Sequence, residues 1–254
     1  MKKNIIFLII SVLLFPIENI SQQKQTEKIN TNKFRQLNQE FASPNMFRTA
    51  SGAPGPAYYQ QQADYIINIE LDDANKKIYG DEIVTYTNNS PDLLDYLWVQ
   101  LDQNVRSKDS PSLIRDSNSV NPAYIPDTFE KEFINDPFDG GFNIEYVRDI
   151  NDKPLDYFVN QTMMRIDLPK AIATGESFSF KVKWWYNIND HVNDGGRSGY
   201  ETFPNDDNRA YIIAQFFPRM CVYDEVEGWQ NYQFWGDGEF ALPFGNYQVN
   251  ITVP

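Results

Sequence analysis

From residue 58 onward, apolar side chains recur at every second position, a period that suits β-strands and little else. The clearest run is Ser177 to Ile188, where Phe178, Phe180, Val182, Trp184 and Tyr186 share one face. A face so rich in large rings has to pack against something. Tyr65, Ile67, Ile69 and Leu71 line up in the same way within Ala63–Leu71, and Asp72-Asp73-Ala74-Asn75 supplies a turn into a second strand, Ile78–Thr87. Asn88-Asn89-Ser90-Pro91 stops that strand. In Leu94–Leu101 both faces are apolar, Leu94, Tyr96 and Trp98 on one and Leu97, Val99 and Leu101 on the other, as befits a central strand between two layers.

Further strands are predicted at Phe142–Val147, Leu155–Val159, Thr162–Leu168, Ser177–Ile188, Arg209–Phe217, Glu239–Leu242 and Tyr247–Val253, with a tight turn at Asn151-Asp152-Lys153-Pro154. No helical period extends beyond about two turns. Roughly nine or ten short strands separated by turn signals predict an all-β domain, either a sandwich or a large curved sheet. Gln103–Gly141 is a long polar insertion carrying a short apolar segment at Phe129–Ile134, and Asn189–Asn208 is a second long loop with Gly195, Gly196 and Gly199. No repeat of 20–50 residues is present.

Residues 1–21 read as a secretory signal peptide: Lys2-Lys3, an apolar run from Ile5 to Phe15, Pro16, and Ser21 before the cut. An uncleaved anchor is the bland alternative, and the run is too short to span a bilayer. Residues 22–57 are polar and then rich in Gly, Pro, Ala and Ser, a linker or an arm over the domain, which occupies 58–254. The protein is therefore expected to be exported, periplasmic or extracellular, with no membrane span after cleavage. The chain stops at Pro254 directly after a strand, which predicts a domain truncated at its C-terminal side, with an edge that needs a neighbour.

Composition excludes several functions. The net charge of −13 disfavours nucleic-acid binding by repelling phosphate backbones. The single cysteine, Cys221, cannot form an intrachain disulfide, and its apolar flanks predict an inert buried thiol. With His191 as the only histidine, the chain cannot supply the two or three imidazoles usual in a catalytic zinc site, and no serine-elbow sequence lies nearby. No metal site is expected in this chain.

Tyr211–Phe240 holds the most concentrated chemistry. Phe216-Phe217 and Pro218-Arg219 lead to an acidic turn, Asp224-Glu225-Val226-Glu227-Gly228, closed by Trp229. Phe216, Phe217, Tyr223 and Trp229 are expected to be exposed and to meet a partner surface. Asp224, Glu225 and Glu227 could be read as glycosidase carboxylates, but on one short turn they sit on the same side of any sugar; a turn capped by its own carboxylates is the plainer reading. Asp190, Asp194 and Asp206-Asp207-Asn208 could bind Ca²⁺, although the EF-hand pattern is not met. Trp184-Trp185-Tyr186 could stack on a sugar, but strand spacing sends at least one tryptophan into the core.

Beyond these patterns, several segments resemble the aminopeptidase N family of zinc metallopeptidases (gluzincins), and more closely its secreted members from Bacteroidota bacteria. They are Gly195–Glu201 (GGRSGYE), Gln215–Arg219 (QFFPR), Val222–Asp224 (VYD), Gly228–Asn231 (GWQN), Gly238–Phe240 (GEF) and Phe244–Pro254 (FGNYQVNITVP), with Tyr59–Tyr65 (YQQQADY) and Tyr86–Pro91 (YTNNSP) earlier. The resemblance implies the N-terminal β domain of such an enzyme, a saddle-like sheet lying against a thermolysin-like catalytic domain. That domain would carry H-E-x-x-H and the zinc, and neither belongs to this chain. It also implies a Gln-x-Glu or Gln-x-Gln segment lining the pocket for the substrate's amine and first side chain. Gln215 matches the first residue, and Phe217 stands at the second, where it can offer a cation–π contact but no charge-assisted hydrogen bond. On this reading Gln215 and Phe217 touch peptide substrate, Phe216, Tyr223 and Trp229 contact the catalytic domain, and this chain alone is inactive. A plain sheet position for Gln215 remains the alternative. A stand-alone secreted β-sandwich module that binds peptide or glycan through the aromatic loop 216–235 is the second function in play.

Overall fold

The period-two pattern folds into two layers, antiparallel except for one parallel edge strand, that share one core. A computed structural model describes residues 44–112, 126, 138–205, 208–238 and 240–254, all within one compact unit, Ala42–Pro254. The signal peptide, the first part of the arm (22–43), the Phe129–Ile134 segment, Asp206-Asp207 and Glu239 lie outside the described residues.

The strands are β1 (Gln62–Asp72), β2 (Lys77–Thr87), β3 (Leu94–Gln100), β4 (Asn143–Asp149), β5 (Tyr157–Asn160), β6 (Met163–Ile172), β7 (Ser177–Asn187), β8 (Gly199–Thr202), β9 (Arg209–Ile212), β10 (Arg219–Met220), β11 (Tyr223–Asp224), β12 (Gly228–Trp229) and β13 (Tyr247–Thr252). A 3-10 turn at Asp102–Arg106 and a four-residue helix α1 (His191–Asp194) interrupt them. One sheet runs β13-β1-β2-β7-β4 and the other β10-β3-β6-β5, while β11-β12 and β8-β9 form small two-stranded sheets. The all-β sandwich expected from the sequence is present, and none of its sheets closes on itself.

Side-chain alternation sets the register. β1 and β2 pair from Gln62↔Thr87 to Asp72↔Lys77, which turns Tyr65, Ile67 and Ile69 inward beside Val84, Glu82 and Gly80. The hairpin turns because Asp72 accepts hydrogen bonds from the Asn75 backbone N–H and side-chain amide (2.9 and 2.8 Å). β7 adds Phe180, Val182, Trp184 and Tyr186 to the same buried face. Trp184 lies directly across from Gly80, where any Cβ would collide with the indole, so glycine is required mid-strand for space. Trp184 is the inward tryptophan; Trp185 faces outward beneath the Lys77 ammonium, 4.2 Å from its ring centroid. In β3 a bulge between Leu94 and Tyr96 returns Leu94 to the buried face with Leu97 and Val99.

Two expected strands differ. Arg209–Phe217 pairs only as far as Ile212, and residues 240–242 are unpaired. Within the loop read at Asn189–Asn208, β8 forms unannounced because it is only four residues long. The last strand, β13, runs parallel to β1 at the edge of the large sheet, and all six of its residues are exposed. Tyr247, Val249 and Ile251 stand beside Tyr65, Ile67 and Ile69 and so extend the buried face into solvent.

Candidate functional site

The segment Ala214–Phe217 leaves β9 and crosses toward β10. Gln215 takes a left-handed conformation (φ 54°), which no extended strand accommodates and which costs a residue with a Cβ on the order of 1 kcal/mol. The surroundings hold it there. Ser198 Oγ accepts from the Ala214 N–H at 2.8 Å, and its hydroxyl donates to the Ala214 carbonyl at 3.3 Å. Gln103 Nε2 donates to the Ala214 carbonyl at 2.8 Å and more distantly to that of Gln215 at 3.4 Å. Trp184 Nε1 donates to the Phe216 carbonyl at 3.3 Å.

These holders are themselves held. Gln103 is buried, and its amide oxygen accepts from Arg106 at 3.2 Å. Arg106 lies against Gly196 (φ 89°), where a Cβ would press on the guanidinium. Buried Asn189 donates to the carbonyls of Gly195 (3.1 Å) and Ser198 (2.7 Å), curling the glycine loop so that Ser198 faces Ala214. The glycines of Gly195–Glu201 therefore serve the geometry of Gln215, a link invisible in sequence because Gln103 lies far along the chain from Ala214 and Gln215.

Phe217 packs edge-on to Tyr65 (5.6 Å between centroids) and Tyr247 (6.3 Å), and Phe216 tilts onto Phe217 (5.0 Å). Tyr223 sits edge-on to Trp229 at 5.2 Å, Trp229 lies over Tyr86 at 5.8 Å, and the Tyr223 hydroxyl donates to Asp92 at 2.7 Å. The expectation that Phe216, Phe217, Tyr223 and Trp229 stand exposed is thereby corrected: all four are half-buried against the chain's own core. Packing each ring on a neighbouring ring removes apolar area from water at about 25 cal/mol per Å², so a chain with such neighbours within reach folds them in. The structure brings Gln215, Phe216 and Phe217 together, and it places Tyr223 and Trp229 in the separate β11–β12 hairpin.

Behind this segment the polar groups are tightly enclosed. Arg219 pairs with buried Asp102 and reaches Gln100 Oε1 at 3.3 Å. Burial pushes the Asp102 carboxyl above its usual range, and the guanidinium pulls the other way. Glu82 is fully enclosed, neither of its oxygens has a partner among the described groups, and burial, aided by Asp81, raises its carboxyl well above the ordinary value. Cys221 is buried beside Met163, and burial drives its thiol far above the usual range.

The other sequence candidates resolve into local roles. Asp224 accepts from the Val226 and Glu227 backbone N–H groups, both at 3.0 Å, and so caps its own turn. Glu225 pairs with Arg48, and Glu227 accepts from the Tyr232 hydroxyl at 2.5 Å. Asp190 accepts from the Val192 N–H at the start of α1. Asn88 does more than stop β2. It is buried, it donates to the Asp92 and Ile172 carbonyls (2.7 and 3.0 Å), and its side-chain oxygen accepts from Ser90 and Gln61.

No family model and no curated protein matches this sequence. Among solved structures, the fold is similar to a two-domain M1 zinc metallopeptidase point mutant bound to L-tryptophan, with 12% identity and a TM-score of 0.38 over 80% of this chain and 35% of that one. It is also similar to an M1 zinc metallopeptidase mutant from Deinococcus radiodurans bound to a Tyr-Ser-Ala substrate (13%, TM-score 0.35, 77% of this chain and 32% of that one). An M1 zinc metallopeptidase from the same organism matches at 11% identity and a TM-score of 0.34, over 77% of this chain and 32% of its own. The chain thus spans about a third of the length of these structures.

Proposed function

We propose that residues 58–254 form the N-terminal β domain of an exported zinc metallopeptidase of the aminopeptidase N type, as in secreted Bacteroidota enzymes, with Gln215 and Phe217 on the substrate side. The observation that carries this reading is the left-handed Gln215, fixed by Ser198, Gln103 and Trp184 through five hydrogen bonds to the backbone of Ala214–Phe216. A residue held in a sparsely populated conformation by so many buried groups is preorganised, as a substrate-orienting group must be. It is not the plain sheet position that the sequence also allowed.

The donor set here does not suit a catalytic zinc: Cys221 is buried and His191 is the only imidazole. The reading assigns the metal, and the hydrolysis it supports, to the catalytic domain. What these residues supply is position. The Gln215 amide can accept from a substrate ammonium, and the Phe217 ring closes one side. Phe216, Tyr223 and Trp229, being half-buried, offer edges and not whole faces to a catalytic domain; β13 and Phe244 offer more open apolar surface. The second reading, a stand-alone module that binds through loop 216–235, draws less support from these four half-buried rings than from the exposed Val226 and Tyr232 of the same loop.

The test uses this chain joined to the reading frame that follows it in its genome. That protein is expected to bind zinc and to cleave aminoacyl nitroanilides, with Gln215→Ala raising KM about tenfold or more and leaving zinc content unchanged. Unaltered kinetics in Gln215→Ala, or hydrolysis by the present chain alone, would overturn the reading.

A further inference from the structure

A cleft of about 370 Å³ opens between the segment 44–61 and the β11–β12 hairpin, lined among others by Arg48, Tyr58, Tyr59, Tyr223, Asp224 and Phe244. Arg48 is part of the wall of this cleft, and it pairs with buried Glu225, the residue that follows the lining Asp224. Asn45 Oδ1 accepts from the Phe47 and Arg48 backbone N–H groups, both at 2.8 Å, and a bridge between Arg48 and Pro54 closes the short loop. This geometry sends the Arg48 guanidinium over the Tyr58 ring, 5.4 Å from its centroid, and its Nε onto Glu225 Oε1.

Host and guest differ in character. The Glu225 side chain is only 4% exposed, whereas Arg48 is 34% exposed on a surface loop. The pairing engages one carboxylate oxygen; the other, Glu225 Oε2, is buried without a partner among the described groups, and so is the Tyr59 hydroxyl. Burial raises the Tyr59 hydroxyl far above its usual range, so it stays protonated as a donor. A loop contact serving stability alone gains nothing by leaving a buried acceptor and a buried donor unsatisfied. A planar guanidinium approaching end-on would use both carboxylate oxygens while stacking on tyrosine.

We propose that the buried Glu225 carboxylate, reached from this cleft once Arg48 moves aside, recognises the guanidinium of an arginine side chain in a peptide, and that Arg48 holds that seat in cis as a displaceable plug. The proposal stands independently of the metallopeptidase reading. The acidic balance of the chain, −13, favours approach of a basic peptide. Because the plug is tethered by the short span from Arg48 to Tyr58, its effective concentration is of millimolar order. A small ligand therefore competes poorly against the intact loop and binds well once the plug is removed.

The experiment titrates N-acetyl-arginine amide into the full chain by calorimetry, with N-acetyl-citrulline amide as the neutral isostere. Arg48→Ala is expected to bind the arginine amide about tenfold or more tighter than the parent, which itself binds weakly, and to ignore citrulline. Adding Glu225→Gln to that variant is expected to abolish binding. If Arg48→Ala lacks the circular dichroism of a β-protein, Arg48→Met, which keeps the aliphatic stem, takes its place. No binding to the folded unplugged variant, equal binding of citrulline, or retained affinity in the Glu225→Gln double variant would each overturn the proposal. No detectable competition in the parent at concentrations well above the plug's effective concentration would overturn displaceability.

Discussion

Single residues in the interior set the pH response. Glu82 faces the core from mid-β2 with both oxygens unpartnered among the described residues, and burial holds its carboxyl well above its ordinary value of 4.5. Below that value both folded and unfolded chains carry the proton, and the site costs nothing extra. As pH rises above 4.5 the unfolded chain releases the proton and the folded chain keeps it, so stability falls by up to about 1.4 kcal/mol per pH unit until the folded value is reached. Asp102 is shifted in the same direction by burial. The surface carboxylates Asp64, Asp72, Asp73, Asp152 and Glu176 are shifted the other way by hydrogen bonds, joined in all but Asp64 by lysine or arginine neighbours. Their contribution is present above the ordinary carboxylate range and fades as pH falls through their lowered values. Urea midpoints should therefore pass through a maximum in mildly acid solution. Glu82→Gln, which cannot ionise, is expected to flatten the decline on the neutral side; a decline as steep as in the parent would remove Glu82 as its source.

Elements differ in how much of them a sequence discloses. β1, β2 and β7 were legible because long alternating runs bury one face, and a slip of one residue would turn every inward side chain out. β8, β10, β11 and β12 are two to four residues long, too short for a period to register. β10 also pairs with a distant partner, Arg219↔Gln100 across β10 and β3, while β11 with β12 and β8 with β9 form short local hairpins. The candidate site was half legible. Gln215 could be singled out from QFFPR, but its departure from the strand could not, because it depends on Ser198, Gln103 and Trp184 arriving from three other elements. The half-burial of the rings is not legible in sequence for a related reason: Tyr65, Tyr86 and Tyr247, which receive Phe217 and Trp229, give no sign there of being their neighbours. The glycine loop offers the matching test. Ser198→Ala leaves the Ala214 N–H without its acceptor, a loss of about 1–3 kcal/mol. Hydrogen exchange at 213–217 is expected to rise more than exchange in β1 or β7. A uniform rise would instead mean that Ser198 supports the sandwich as a whole and not the Gln215 segment.

At the scale of the whole molecule, the two layers do not cover each other completely. The buried face of the large sheet continues past β1 onto β13, where Tyr247, Val249 and Ile251 remain 46%, 41% and 64% exposed although Tyr65, Ile67 and Ile69 beside them are enclosed. Phe244, leading into the strand, is 70% exposed. Gly245 permits this strand to dock, since a Cβ there would run into the Ala63 carbonyl. Apolar residues on an edge strand invite pairing with another chain, because the outer side of the β13 ladder and its apolar face have no partner among the described residues. The present chain is therefore expected to self-associate at micromolar concentrations, seen as a concentration-dependent rise in sedimentation coefficient. Val249→Lys with Ile251→Lys places charge on that face without touching the enclosed core and is expected to shift the species toward monomer with an unchanged circular dichroism spectrum. Both positions are exposed, so the cost to stability should stay within about 1 kcal/mol. Association undiminished in the double variant would place the sticky surface elsewhere, with the exposed rings of Tyr232 and Phe203 as the next to be tested.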